Sequence, residues 1–280
     1  MSHISVITDS TSCIPQDLLD SLNITVAPIH LMIGDKEYRD VIDISPDVFY
    51  QRMRQEGLLP TTSGSVLGEF LEIFEGLKGK VDGVVAIVLS QDIPSAGYAS
   101  AVRAASLMEG MNIEVLDSRY VMFAQGFVVL EAARAAAKGA DMATVVNKAR
   151  ETIAKIQLLF APEDLKYWKR LGRFIMPGTE EDWAKIRPIL TMRDGKIVVE
   201  ENCSRERGIP RMIEMVKERV KKDSPLHLAV IHAGDPEKAE EIKQQIISDV
   251  HCDELIMTVV SPVVGTHTGP GTLGVVFYNE

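Results

Sequence analysis

The chain is short of the residues that mark the commonest chemistries. Among its 280 residues there are three cysteines, Cys13, Cys203 and Cys252. They lie far apart, with no C-x-x-C pair. That excludes a disulfide framework and fits reduced thiols. The six histidines are scattered and form neither a Cys/His zinc pattern nor an H-E-x-x-H pair. Long apolar runs are missing too. The longest weakly polar stretch, Tyr120 to Leu130, contains Gln125 and is too short to span a bilayer, so it reads as a buried helix. The opening MSHISVITDS lacks the basic-then-apolar pattern of a signal peptide. Basic residues are in the minority, 30 against 40 acidic, for a net charge of −10. Such a balance opposes nucleic-acid binding and stable insertion into an anionic membrane. A soluble cytoplasmic protein is expected.

Motifs are missing as well. No G-x-G-x-x-G and no P-loop follows a strand, so no nucleotide cofactor is expected. No G-x-S-x-G elbow occurs. No paired carboxylates stand out, and Asp9 lacks the second aspartate of a D-x-D loop. No metal is expected.

What is present is alternation. HISVITDS reads as a strand, PQDLLDSLNI as a short helix after Pro15, and the runs around Gly34-Asp35 as a hairpin. Val66, Leu67, Phe70, Leu71 and Phe74 recur at helical spacing. VVAIVLS is a β-branched run typical of a strand covered on both faces. Helices are expected from about Ser95 to Met108, from Tyr120 to Lys138 with Gly139 at the stop, and through Val145 to Ile156. NIEVLDS is a strand between the first two. The later half carries a hairpin around Asp194-Gly195, helices from Pro210 and through Ala239 to Val250, and strands LHLAVIH, ELIMTVVS and TLGVVFY. Strands alternating with helices predict an α/β protein with a mainly parallel, helix-covered sheet in its N-terminal part. The expected division is an α/β domain over residues 1–160 and a smaller mixed α/β domain over residues 161–280.

Four polar segments sit where strands end or helices begin, the edge at which open α/β sheets bind ligands. TDSTS, from Thr8, places an aspartate and hydroxyls where a dinucleotide fold has glycines; Asp9 or Ser10 also suits a cap. Thr61, Thr62, Ser63 and Ser65 precede a helix, and hydroxyls with free N–H groups there form an anion site as readily as an N-cap. Ser95, Ala96 and Gly97 are small enough for an anion to approach the backbone, or for close packing. Near the end, PVVGTHTGPGT sets His267 between Thr266 and Thr268 among glycines, as in a loop that brings backbone and polar tips to a ligand. Arg173, in LKYWKRLGRF, is either a surface residue or a fork for phosphate or carboxylate. Hydroxyls, small residues, one histidine and one arginine hold an anionic head group better than they cut a bond.

Taken together, VITDSTS, TTS before a helix, VLDS, LKYWKRLGR, RPILTMRDGKI and VVGTHTGPGTLGVVF resemble the DegV family of bacterial fatty acid-binding proteins, in order and over nearly the whole chain. The resemblance implies two α/β domains with one long-chain fatty acid between them, its tail in an apolar tunnel. It implies that the chain is a carrier subunit, not itself an enzyme. An ATP-dependent fatty acid kinase would phosphorylate the bound acid, and the acyl phosphate would feed phospholipid synthesis. The head-group residues would then be Thr61, Thr62, Ser95 and His267, with Ser63, Gly97 and Thr268 beside them, and Arg173 would face the phosphate or the kinase. Gly64-Ser65 and Ser95-Ala96-Gly97 depart from the family's usual residues. The other reading of these residues is a stand-alone enzyme on a small carboxylated or phosphorylated metabolite.

Overall fold

The computed structural model describes residues 3–62, 66–169, 179–221 and 223–280. They form two compact units. Where the sequence places one break at residue 160, the first unit comprises Met1–Ile44, Thr61–Ala154 and Asp194–Lys196, and the second Ser45–Pro60, Lys155–Arg193 and Ile197–Glu280.

The first unit holds strands β1 (Ile4–Asp9), β2 (Thr25–Ala27), β3 (His30–Ile33), β4 (Lys36–Arg39), β5 (Thr61–Thr62), β6 (Gly83–Val88) and β7 (Ile113–Asp117). Four of them make a parallel sheet in the order β2-β1-β6-β7, with Ile7 opposite Thr25 and Ala86. Every residue of β6 is buried, as both-face coverage requires. The helix Phe123–Ala137 lies against β1 and β6. It buries every residue from Phe123 to Ala133, so it has no polar face to give a helical period. Helices Leu67–Leu77 and Gly97–Leu107 pack on each other. Strands β4, β3 and β5 form a small antiparallel sheet, Leu31 facing Thr62. In the main sheet the order reverses between β1 and β6. The carboxyl ends of strands at such a reversal are the usual ligand position in open α/β sheets.

The second unit carries a six-stranded sheet in the order β10-β9-β8-β13-β11-β12. These are β8 (Gln157–Ala161), β9 (Ile189–Arg193), β10 (Lys196–Glu201), β11 (Leu226–His232), β12 (Glu254–Val259) and β13 (Leu273–Asn279). β11 and β12 pair in parallel; β13 runs antiparallel to both β8 and β11. Leu159, Met212, Val216, Leu228, Val230 and Phe277 belong to one buried core against the helices Gly208–Arg219 and Pro236–Ile247. The β9–β10 turn has positive φ at both Asp194 and Gly195, the backbone of a type I′ turn, which D-G favours.

Among the described residues, the short helices Lys166–Lys169 and Glu180–Trp183 were not expected, nor were two longer ones. Pro46–Glu56 begins at Ser45, whose hydroxyl accepts the Val48 N–H at 3.4 Å, and stops at Gly57 in the left-handed conformation. Pro262–Thr268 is a helix where the sequence suggested a loop. The expected division after residue 160 falls inside β8.

Candidate ligand site

In the first unit, Asp9 ends β1 and is fully buried. Its Oδ1 accepts the Thr11 N–H at 2.9 Å and its Oδ2 the Leu89 N–H at 2.8 Å. The second bond joins the ends of β1 and β6 at the order reversal. The Thr11 hydroxyl lies between Asp9 Oδ1 and Gln125 Oε1, 2.8 Å from the latter. Gln125 Nε2 donates to Thr8 Oγ1 at 3.0 Å. Burial, outweighing these hydrogen bonds, raises the Asp9 pKa above 3.8. The capping reading of Asp9 therefore describes its contacts: it holds chain, not ligand. Ser10 acts likewise, its Oγ accepting the Ile29 N–H at 3.1 Å.

Thr61 and Thr62 lie in β5, exposed and half-buried respectively. The following helix has Val66 as its N-cap, with no side-chain cap bond. Neither threonine therefore caps it; Ser63 lies outside the described residues, as does Arg173. Ser95 is exposed, and its Oγ accepts the Gly97 N–H at 3.2 Å, so one donor at that helix start is used internally. A side chain at Gly97 would collide with Leu89 and reach within 3.7 Å of Ile29. The small residue there serves packing inside the unit. Ile29 thus meets both the TDSTS and the Ser95–Gly97 segments.

In the second unit, the glycines around His267 are explained by neighbours from the chain itself. A Cβ on Gly265 would collide with Tyr50, at 2.7 Å from Cζ. On Gly269 it would strike Tyr167, and on Gly271 the Glu163 carboxylate. The scarcity of side chains in GTHTGPG lets two tyrosines and a glutamate approach at these three positions. His267 is half-buried. The flanking threonines differ. Thr266 Oγ1 donates to the Pro262 carbonyl at 3.0 Å, inside its own helix. Thr268 is 3% exposed, and its Oγ1 is buried with no hydrogen-bond partner among the described residues. Buried hydroxyls are rarely left so. It is a donor and acceptor available to a ligand.

Sequence reasoning missed Tyr50, Tyr167 and Glu163, whose partners lie far away in the chain. Gln125 had a signal: a lone amide in an otherwise apolar helix. Met122, Phe123 and Phe127 are fully buried in the first unit and Phe160 in the second, where Phe160 packs on Trp168 with centroids 5.7 Å apart. Their contacts are those of core residues.

A model of the DegV family, described as uncharacterised proteins, matches residues 3–280. The chain belongs to the DegV family. It is 34% identical to a DegV domain-containing protein of Caldanaerobacter subterraneus, covering 99% of each chain, and 31% identical to DegV of Bacillus subtilis, covering 98% of each. Its DegV fold superposes on the crystal structure of Bacillus subtilis DegV, described as a fatty acid binding protein, with a TM-score of 0.89, 29% identity and all of both chains covered. A DegV family protein of Thermus thermophilus, also described by its fatty acid binding, gives 0.88 at 25% identity over all of both chains. A stearic acid-binding protein of Eubacterium ventriosum gives 0.88 at 25%, covering 100% of this chain and 98% of that one. No helix among the described residues is long and apolar enough to cross a membrane.

Proposed function

We propose that this DegV-family protein binds one long-chain fatty acid and presents its carboxylate to an ATP-dependent fatty acid kinase, which forms the acyl phosphate. The carrying observation is the full-length match to DegV relatives described as fatty acid binding. Head-group contacts fall to Thr61, Thr62, Ser63, Ser95, Gly97, His267 and Thr268, and Arg173 faces the phosphate or the kinase. The vacant hydrogen-bonding capacity of Thr268 supports this assignment.

The energetics suit such a ligand. Burial of hydrocarbon contributes about 0.8 kcal/mol per methylene. A chain of about fourteen methylenes therefore gains about 11 kcal/mol before the entropy of binding is subtracted. The tail carries the affinity. The carboxylate resists burial unless hydrogen-bonded, and threonine and serine hydroxyls satisfy it without a buried cation. A carboxylate oxygen left accessible attacks the γ-phosphorus of ATP, the bond to the β–γ bridging oxygen breaks and ADP leaves; nucleotide and magnesium belong to the kinase, and the carrier needs no cofactor of its own. Phosphoryl transfer needs cationic assistance, the role given to Arg173. The protein acts in the cytoplasm, where the acyl phosphate enters phospholipid synthesis.

Denaturing extraction of the purified protein followed by mass spectrometry tests the reading. One saturated or unsaturated long-chain acid per chain is expected. Protein that stays empty after incubation with such acids refutes it. In reconstitution with the kinase, Thr62→Ala and His267→Ala should lower acyl phosphate formation more than they lower thermal stability.

A further inference from the structure

Strand β12, with the sequence ELIMTV, is the last strand of the six-stranded sheet, and among the described residues no strand pairs with its outer side. Open sheet edges are ordinarily guarded by charges, prolines or bulges. The opposite edge is guarded. There β10 carries Lys196, Glu200 and Glu201, with Arg193 and Arg219 paired to Glu200 and Arg211 to Glu201. β12 has one charged residue, Glu254, and it is drawn inward: its carboxylate lies 2.7 Å from Nδ1 of His227 on the neighbouring β11.

The edge is also apolar. Leu228 and Val230 of β11 are fully buried in the core, and in register beside them on β12 stand Leu255 and Met257. Side chains in register share one face of a sheet, so these two continue the rows of the core. They are nevertheless 37% and 39% exposed. The core layer runs on to the edge strand and stops there uncovered. Leu255 also lines a groove of about 390 Å³ together with Ile247 and Val250.

The strand is complementary to itself. The Asp253 N–H donates to the Leu226 carbonyl at 2.9 Å. Alternate residues of a parallel ladder face the same neighbour, so Leu255 and Met257 turn their amides to β11 and Ile256 turns its amide and carbonyl to the edge. Two such edges fit antiparallel about Ile256. Ile256 then meets Ile256 of the second copy in a hydrogen-bonded pair, and Leu255 meets Met257 of the second copy in the closer, non-hydrogen-bonded pair. The flexible methionine suits the groove beside Leu255. Glu254 falls opposite Thr258, which keeps the two acidic ends apart; parallel pairing would set Glu254 against Glu254. We infer that β12 is a self-association surface, at which two copies of this chain join antiparallel about Ile256 into one continuous sheet and cover the uncapped core rows of each other. The contact is confined to a single strand and its neighbours, so it belongs with the small, weak interfaces and the dimer depends on concentration. The inference is independent of the fatty acid reading.

Sedimentation velocity on the full chain, from about 1 µM to about 1 mM, tests the assignment. Wild type should pass from monomer to dimer across that range. Met257→Lys sets a charge opposite Leu255 of the second copy and should weaken the dimer at least about tenfold. The residue is exposed, so the urea midpoint of the variant should stay with wild type. The double variant Leu255→Lys, Met257→Glu sets lysine opposite glutamate on both sides of Ile256 and should bring the dimer back, more weakly at high salt. Three results would overturn the assignment. One is a wild-type chain that stays monomeric at the highest concentration, which would give the edge to a different protein. The others are a Met257→Lys variant that dimerises as wild type does, and a double variant no better than Met257→Lys.

Discussion

Tyr50 fills the space that any side chain at residue 265 would need: a Cβ there would collide with its hydroxyl group and lie 2.7 Å from Cζ. The same hydroxyl donates to the Val260 carbonyl at 2.8 Å, and the ring is 2% exposed. Gly265→Ala must displace the ring or the helix that carries His267. Overpacking of this kind costs about 1–3 kcal/mol. Tyr50→Phe keeps the packing and removes one donor, at about 1 kcal/mol. Urea unfolding should therefore rank the variants wild type, Tyr50→Phe, Gly265→Ala in falling stability. A Gly265→Ala protein as stable as wild type would show that the contact yields freely.

That contact also shows why GTHTGPG reads as a ligand loop in the sequence. Its partners Tyr50, Glu163 and Tyr167 lie about a hundred residues or more away, and no local pattern announces them. Elements whose evidence is local were legible. The β-branched run of β6, the Asp194-Gly195 turn and the stop at Gly139 stand where the residues put them. The helix Pro46–Glu56 had its signals in Ser45, Pro46 and Gly57, but only Phe49, Tyr50 and Met53 are buried, too few to produce a clear period. In the candidate site, sequence reasoning picked out hydroxyls without separating those spent on the chain itself. Thr266 gives its proton to its own helix and Ser95 accepts the Gly97 N–H while keeping its own proton to donate, whereas Thr268 Oγ1 has no partner among the described residues. That difference arises from backbone geometry.

Asp9→Asn should damage the first unit more than its size suggests. Asparagine keeps one acceptor, so its amide would face either the Leu89 N–H or the Thr11 N–H that the carboxylate now accepts. A buried donor facing a donor costs about 1–3 kcal/mol. The pH dependence is distinctive. Burial raises the folded pKa above 3.8, so between those two values the native state holds a proton that the unfolded chain has lost. Stability from this group is highest below 3.8 and declines as pH rises through the folded value. A protonated Asp9 would donate to Thr11 Oγ1 and free the threonine proton for Gln125. The stability gap between wild type and variant should therefore widen as the solution is acidified towards 3.8, and a constant gap would contradict the assignment.

Ser90 and Gly195 make a second test of the first unit. The Ser90 hydroxyl donates to the Gly195 carbonyl at 2.8 Å, and a Cβ on Gly195 would lie 2.6 Å from Ser90 Oγ. Gly195 also has φ of +77°, where an L side chain is strained. Gly195→Ala carries both penalties and should destabilise by more than about 1 kcal/mol. Ser90→Ala removes only the hydrogen bond, at about 1 kcal/mol. If Ser90→Ala restored the stability of Gly195→Ala, the clash with Ser90 would be the dominant cost; if it added to the loss, the cost would lie in backbone strain and in the contact with Asp92, whose Oδ2 would be 2.8 Å from the new Cβ.

His232 gives the second unit a pH response of opposite sense. It ends β11, is 8% exposed, and its Nδ1 is buried without a partner among the described residues. Burial holds its pKa below 6.5, against the pull of Asp235 and Asp47. Between the folded value and 6.5 the unfolded chain binds a proton that the native state refuses. Stability therefore rises with pH through that window and is lost as pH falls through it. His232→Gln cannot be charged, so its urea midpoint should fall less steeply than that of wild type as pH drops below 6.5, and above 6.5 the two curves should run parallel. Curves that stay parallel on the acid side would mean that the imidazole gains a proton in the native state as easily as in the unfolded chain, which its burial without a partner for Nδ1 argues against.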